Sequence, residues 1–418
     1  MSDKTKASFL GIKSGVAWQD KSLNFLEQYA KAGKASVVRL LLSQGCNPGT
    51  KEKVRRGPLY WAIKGGSQRH NKCVAALLAA GADVHVKFSG GKTVLHLAIE
   101  HEEFHGYTNL IRDLLEAGAN PNLKDKNGDY PLLQILYGGY EPLEKHRRDA
   151  LACLLQPHFT TDVNIMPPGT LNMPLHLAVR RKDPWAVSML LTRGALVNEP
   201  NGSGLTPLML AANAWTDKST HSQTEVLKIL LTHKANVNEQ SGEHQRSALH
   251  LATSCGYEQG VLFLLQGGAD PKIRDVKGRT PFQYARDDVT KMDPKAHGRI
   301  MRLLFEALGI DSIPVVEGQC AVVTTILKGM TEAKILLDHW ASPSRIYQRN
   351  ERRPLLHIAL EAQNLAMVRL LVDAGAFVDA KDESGVDAFQ VCAALETGDF
   401  AQASSRYMQR KGRRQVAQ

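Results

Sequence analysis

Cysteine is scarce and scattered in this chain of 418 residues: Cys46, Cys73, Cys153, Cys255, Cys320 and Cys392 include no C-x-x-C pair. That spacing excludes a disulfide framework and fits a reducing compartment. Long apolar runs are also missing. No stretch nears the roughly 18 apolar residues that a membrane span needs, and Met1 to Lys13 lacks the apolar core of a secretory signal. The expectation is an intracellular protein, cytoplasmic, nuclear or both, with no membrane partner. Aromatics make up only 6% of the residues, which suits short helices packed through Leu, Ala and Val. No G-x-S-x-G nucleophile signature is present either.

What the chain does have is a refrain. A Leu-His pair opens a short apolar run at Leu95-His96, Leu175-His176, Leu249-His250 and Leu356-His357. A second apolar run follows each, and a Gly-Ala turn closes it: Gly118-Ala119, Gly194-Ala195, Gly268-Ala269, Gly375-Ala376. Apolar positions at i, i+3 and i+4 predict a helix in each run. Gly after the second run fits a left-handed helix end. Pro58, Pro131, Pro174, Pro207 and Pro281 fit the first turn of a helix, where a backbone N–H has no partner anyway. Segments such as Lys126-Asn127-Gly128-Asp129 and Asn201-Gly202-Ser203-Gly204 are turn chemistry. A period of this kind predicts a solenoid, in which length adds units instead of domains.

The refrain resembles the ankyrin-repeat family. Its pattern runs Asp-x-x-Gly-x-Thr-Pro-Leu-His-x-Ala-Ala and ends in Leu-Leu-x-x-Gly-Ala-x-Val-Asn. The nearest single copy is Gly204-Leu205-Thr206-Pro207-Leu208-Met209-Leu210-Ala211-Ala212, closed by Ala235-Asn236-Val237-Asn238. The resemblance implies an all-α solenoid of helix-turn-helix units with β-hairpin connections, about eleven units over nearly the whole chain. It also implies that the repeat histidines tie neighbouring units together and have no part in chemistry.

The expected organisation is an N-terminal segment over 1–22, about eight units over 23–312, and a degenerate repeat or hinge over 313–343. C-terminal repeats and a cap follow over 344–400, then a basic tail over 401–418. Insertions fall around Tyr137-Gly138-Gly139-Tyr140, Trp215 to Gln223 and Asp287 to His297, between paired helices. The last unit lacks a Leu-Leu second helix, as a polar cap would.

One motif invites a catalytic reading. His101-Glu102-Glu103-Phe104-His105 matches H-E-x-x-H, which on a helix would make a zinc-dependent hydrolase. It falls where the repeat places a turn, so a solvated loop is the better expectation, and no metal, cofactor or catalytic residue is assigned. The net charge is +10, and Arg406, Arg410, Lys411, Arg413 and Arg414 supply half of it. That Arg-rich tail is a candidate targeting signal for a nuclear regulatory adaptor. Lys51, Lys53, Arg55 and Arg56, with Arg349, Arg352 and Arg353, place positive charge in the connections. Tyr137, Tyr140 and Trp215 are candidate anchors in the inserted loops. The function expected is a monomeric, non-catalytic scaffold or adaptor. It would hold a protein partner with an acidic surface along the hairpin tips and first helices; nucleic acid is not the expected partner.

Overall fold

The structure, a computed structural model, describes residues 18–49, 56–100, 107–137, 142–166, 172–213, 221–287, 294–308, 315–316, 319–320, 354–373, 375–382, 384–394 and 398–415. They form two compact units, residues 1–211 with 220–235, and residues 212–219 with 236–418. Among the described residues twenty helices succeed one another as ten pairs.

The first unit holds six pairs: α1 (Trp18–Lys31) and α2 (Ala35–Ser43), α3 (Pro58–Gly65) and α4 (Gln68–Ala79), α5 (Val94–Glu100) and α6 (Tyr107–Glu116). Then come α7 (Pro131–Leu136) and α8 (Lys145–Leu154), α9 (Pro174–Arg180) and α10 (Pro184–Thr192), α11 (Pro207–Ala212) and α12 (His221–Thr232). First helices stack on first helices from α1 to α9, and second helices on second helices from α2 to α12. The second unit holds α13 (Ala248–Ser254) and α14 (Glu258–Gln266), then α15 (Pro281–Asp287) and α16 (Pro294–Leu308). Strands β1 (Val315–Val316) and β2 (Gln319–Cys320) pair antiparallel. Next are α17 (Leu355–Glu361) and α18 (Leu365–Asp373), then α19 (Ala388–Ala394) and α20 (Gly398–Gln415). The division near Ala235 and Asn236 lies inside the sixth repeat; most of 313–343, the expected degenerate repeat or hinge, falls outside the described residues.

Most of these helices are too short to stand alone in water, so burial must hold them. Leu95, Leu132 and Leu249 on first helices, and Leu114, Leu190, Leu264 and Leu371 on second helices, are fully buried. Cutting any of them to Ala would cost about 2–5 kcal/mol. The second helices end as their glycines predict. Gly194 has φ 86°, its N–H reaches the Leu191 carbonyl at 3.0 Å, and the Ala195 N–H reaches that of Leu190 at 3.0 Å. In the sixth repeat Lys234 makes the same turn at φ 62°, where a Cβ is costly.

The first helices leave their last carbonyls without helical partners, and the repeat solves this in two ways. In short units the tight turn supplies a backbone N–H: Asp183 N to Ala178 O at 3.3 Å, Tyr257 N to Ala252 O at 2.9 Å, Asn364 N to Ala359 O at 3.1 Å. In three lengthened units a side chain on the second helix takes over at the same register. Arg147 Nη1 donates to Ile135 O at 3.0 Å, Gln223 Nε2 to Ala211 O at 2.9 Å, and His297 Nε2 to Ala285 O at 3.1 Å. Gln223 and His297, at the ends of two of the insertions, are therefore buried helix residues.

Helix α20 carries the described residues after 400 as far as Gln415. Helix α20 packs on α18 and α19, burying Ser404 and Met408, with the Tyr407 hydroxyl donating to Asp373 Oδ2 at 2.8 Å. The terminal unit thus has a second helix after all. Its contacts come from Met and small residues in place of Leu-Leu, so the apolar pattern does not announce it.

Candidate interaction surface

The four refrain histidines are consumed by the scaffold. The Thr93 backbone N–H and hydroxyl meet Nδ1 of His96 at 3.2 and 2.8 Å, so Nε2 carries the proton and donates to the Asp129 carbonyl of the next connection at 2.9 Å. His250 repeats the arrangement with Ser247 N and Oγ at 3.2 and 2.8 Å and Arg279 O at 3.0 Å. His176 follows Met173, which has no hydroxyl, so its Nδ1 has no hydrogen-bond partner among the described residues while Nε2 donates to Leu205 O at 3.2 Å. His357 follows Pro354, which has neither hydroxyl nor N–H, and its Nδ1 lies 4.0 Å from Asp382 Oδ2. Burial pushes all four imidazoles below their ordinary pKa, His176 to about 4. His96, His176 and His250 are neutral posts bonded to the next connection, whereas neither ring nitrogen of His357 has a hydrogen-bond partner among the described residues.

The connections are rigid for a similar reason. At four tips one side-chain oxygen gathers two backbone N–H groups: Asp125 from Asn127 and Asp129, Asn201 from Ser203 and Leu205, Asp275 from Lys277 and Arg279, Asp382 from Ser384 and Val386, all at 2.8–3.0 Å. Each tip also carries one backbone bond across its base, such as Asp125 N to Asp129 O at 2.9 Å. These are hairpin turns without regular strands. Lower down, an asparagine bridges successive units. Asn164 Nδ2 donates to Gly194 O at 3.1 Å while its Oδ1 accepts from Leu196 N at 2.9 Å, and Asn122 and Asn238 do the same. The Val-Asn ending of the repeat is therefore a clamp, a role its sequence does not reveal.

Of the candidate contact residues, Arg56 is exposed with its guanidinium 5.8 Å from the Tyr60 ring centre. Tyr137, a candidate anchor, is half-buried at the end of α7. Its carbonyl accepts from Arg147 Nη1 at 2.6 Å and from Arg181 Nη1 at 3.2 Å. The base of that insertion is pinned by Asp183, fully buried, which accepts from Leu143 N at 2.7 Å and Ala186 N at 3.1 Å and pairs with Arg148 at 3.3 Å. Arg406 is exposed on α20, and Arg410, Lys411, Arg413 and Arg414 lie in its last two turns. Lys51, Lys53, Arg55, Tyr140, Trp215, Arg349, Arg352, Arg353 and the stretch from His101 to His105 lie outside the described residues.

The feature that the overall charge conceals is an island. Residues 31–92 hold twelve Lys and Arg against Glu52 and Asp83, a net of +10 equal to that of the whole chain. The body is therefore not evenly basic, and a running charge sum would have marked the segment. Among the described residues no group of His, Cys, Asp and Glu is placed to hold a metal ion, and no helix is long and apolar enough to cross a membrane.

Comparison with known proteins agrees with the repeat. The family model described as "Ankyrin repeats (3 copies)" matches residues 26–125 and 175–275, and "Ankyrin repeat" matches residues 352–383. The chain is 27% identical over 267 residues to the E3 ubiquitin-protein ligase KEG of Arabidopsis thaliana, covering 61% of this chain and 15% of that protein. It is 31% identical over 232 residues to a fowlpox virus (strain NVSL) protein described as an ankyrin repeat protein, covering 55% and 45%. To the B-cell lymphoma 3 protein homolog of Mus musculus it is 30% identical over 199 residues, covering 47% and 40%. The chain thus spans less than half the length of each relative. With the repeat matched over more than half of its residues, and with the helix pairs, capped tips and histidine posts in register, this chain belongs to the ankyrin-repeat family.

Proposed function

We propose that this chain is a non-catalytic protein-interaction scaffold that holds a partner along its hairpin tips and first-helix faces. The observation that carries this reading is the fate of the refrain histidines. The residues best suited to chemistry are buried and neutral, and three of the four are bonded to backbone, so the surface left to solvent is the one that varies from unit to unit. The ligase named among the relatives is matched over only 15% of its length, and its activity is not carried over. Affinity purification of the full chain with mass spectrometry tests the proposal. The expected result is a reproducible set of proteins that shrinks when exposed connection residues are substituted. No enriched protein, or turnover of an ester or peptide substrate by the purified chain, would overturn it.

A second reading, a nuclear regulatory adaptor, rests on the four cations in the last two turns of α20. Because Met408 is buried, the deletion that tests it begins at Arg410 and not at Arg406. Unchanged distribution of the tagged protein would sink it.

A further inference from the structure

The charge island has a defined centre. Tyr60 occupies the histidine position of the second repeat, and the neighbouring Trp61 is half-exposed on the first helix α3. Lys31, from the end of α1, places its ammonium 4.5 Å from the Trp61 ring centre. Trp61 meets Tyr60 edge-on at 5.2 Å, and Lys64 and Arg56, one turn to either side on the chain, each stand 5.8 Å from the Tyr60 ring. Phe88 supports Tyr60 from the following connection at 5.3 Å, next to exposed Lys87. Lys31, Arg56, Lys64 and Lys87 are exposed, and none pairs with a carboxylate among the described residues. Cations held over rings lose less freedom on binding than cations on free stems.

We propose that this cation–aromatic face of the first three repeats, centred on Lys31, Trp61, Lys64 and Arg56, is a docking surface for an acidic, Asp/Glu-rich segment of a partner protein. The proposal rests on the scaffold reading and gives it an address and a chemistry. Charge complementarity argues for the occupant: residues 31–92 carry the net charge of the entire chain, and a concentration of one sign attracts and orients the other. Single-stranded nucleic acid fits less well. It needs open aromatic faces on which bases stack, whereas Tyr60 is only 8% exposed and Trp61 is already covered by Lys31. The chain has an acidic stretch of its own, residues 361–399 with eight acids against Arg369 and Lys381, so a second copy is the competing occupant.

The test uses the full chain and three fluorescent probes: a glutamate-rich peptide, the same peptide with glutamine for glutamate, and an oligothymidylate of equal charge. One variant carries Lys31→Glu, Arg56→Glu and Lys64→Glu; a control carries the same change at exposed Lys272, Arg274 and Lys277. All these side chains are solvent-facing, but Arg274 also donates to the Gly278 carbonyl at 2.8 Å, so the thermal midpoint of each variant is compared with that of the parent before binding is read. The expected result is binding of the glutamate peptide at about 0.1 M salt, weakened about tenfold or more by the first variant and less than about twofold by the control. Equal weakening by both variants, no discrimination against the glutamine peptide, tighter binding of the oligothymidylate, or a concentration-dependent mass that the first variant abolishes would each overturn it. A purified partner set that the first variant leaves intact would overturn this inference alone, whereas the absence of any partner overturns the scaffold reading beneath it.

Discussion

Acid should loosen the repeats through their buried imidazoles, and His176 allows the size of the effect to be worked out. Its ring is completely buried in α9, with Nε2 donating to the Leu205 carbonyl at 3.2 Å. Desolvation lowers its pKa from 6.5 to about 4, partly offset by backbone acceptors that favour the protonated ring. Above pH 6.5 the ring is neutral in both folded and unfolded chains, and the linkage term is zero. As pH falls below 6.5 the unfolded chain takes up the proton first, so stability is lost at about 1.4 kcal/mol per pH unit until the folded ring titrates near 4. The full loss is about 3 kcal/mol, and at pH 5.5 about 1.4 kcal/mol of it has appeared. His96, His250 and His357 are shifted in the same direction by burial and add to the trend. Urea unfolding of the parent and of His176→Gln at pH 7.5 and 5.5, followed by circular dichroism, measures it. Glutamine keeps a donor for Leu205 but does not titrate in this range, so its pH-dependent loss should be smaller by about 1.4 kcal/mol. An identical loss in the two proteins would show that His176 titrates normally, and the account of neutral posts would fail.

Other positions report on other parts of the scaffold. Asp183→Ala leaves Leu143 N and Arg148 without their buried carboxylate and should cost about 3 kcal/mol in urea unfolding, with faster hydrogen exchange at the Leu143 amide. Asn164→Ala removes two bonds between successive units and should lower stability by about 1–2 kcal/mol; a neutral result would reduce the clamp to a surface contact. Lys234→Gly relieves a left-handed lysine and should stabilise by about 1 kcal/mol, read as a raised urea midpoint. Met408→Ala should cost about 2 kcal/mol if α20 closes the second unit, whereas a solvated tail would not respond.

The period and the helix ends at Gly and Pro are legible from local rules: a left-handed turn favours Gly, a first turn accepts Pro, and an apolar stripe repeats with the helix. The structural role of the refrain histidines is what the resemblance to the repeat family implies. The sequence also contained the charge island at 31–92, although a total of +10 and a conspicuous tail drew attention elsewhere. Which polar residues are structural depends on how one unit packs on the next. Arg147, Gln223 and His297 stand in unlike sequence surroundings, yet each closes the same carbonyl, because lengthening the turn removes the backbone N–H that serves it in short units. The Tyr137 carbonyl at the end of α7 is held for the same kind of reason, since Arg147 from α8 and Arg181 from just past α9 converge on it. Helix α20 and the ring-mounted cations around Trp61 likewise depend on neighbours far apart in the chain. Local patterns register what a residue prefers. Which donor meets which orphaned acceptor is set by the stacking of one unit on the next.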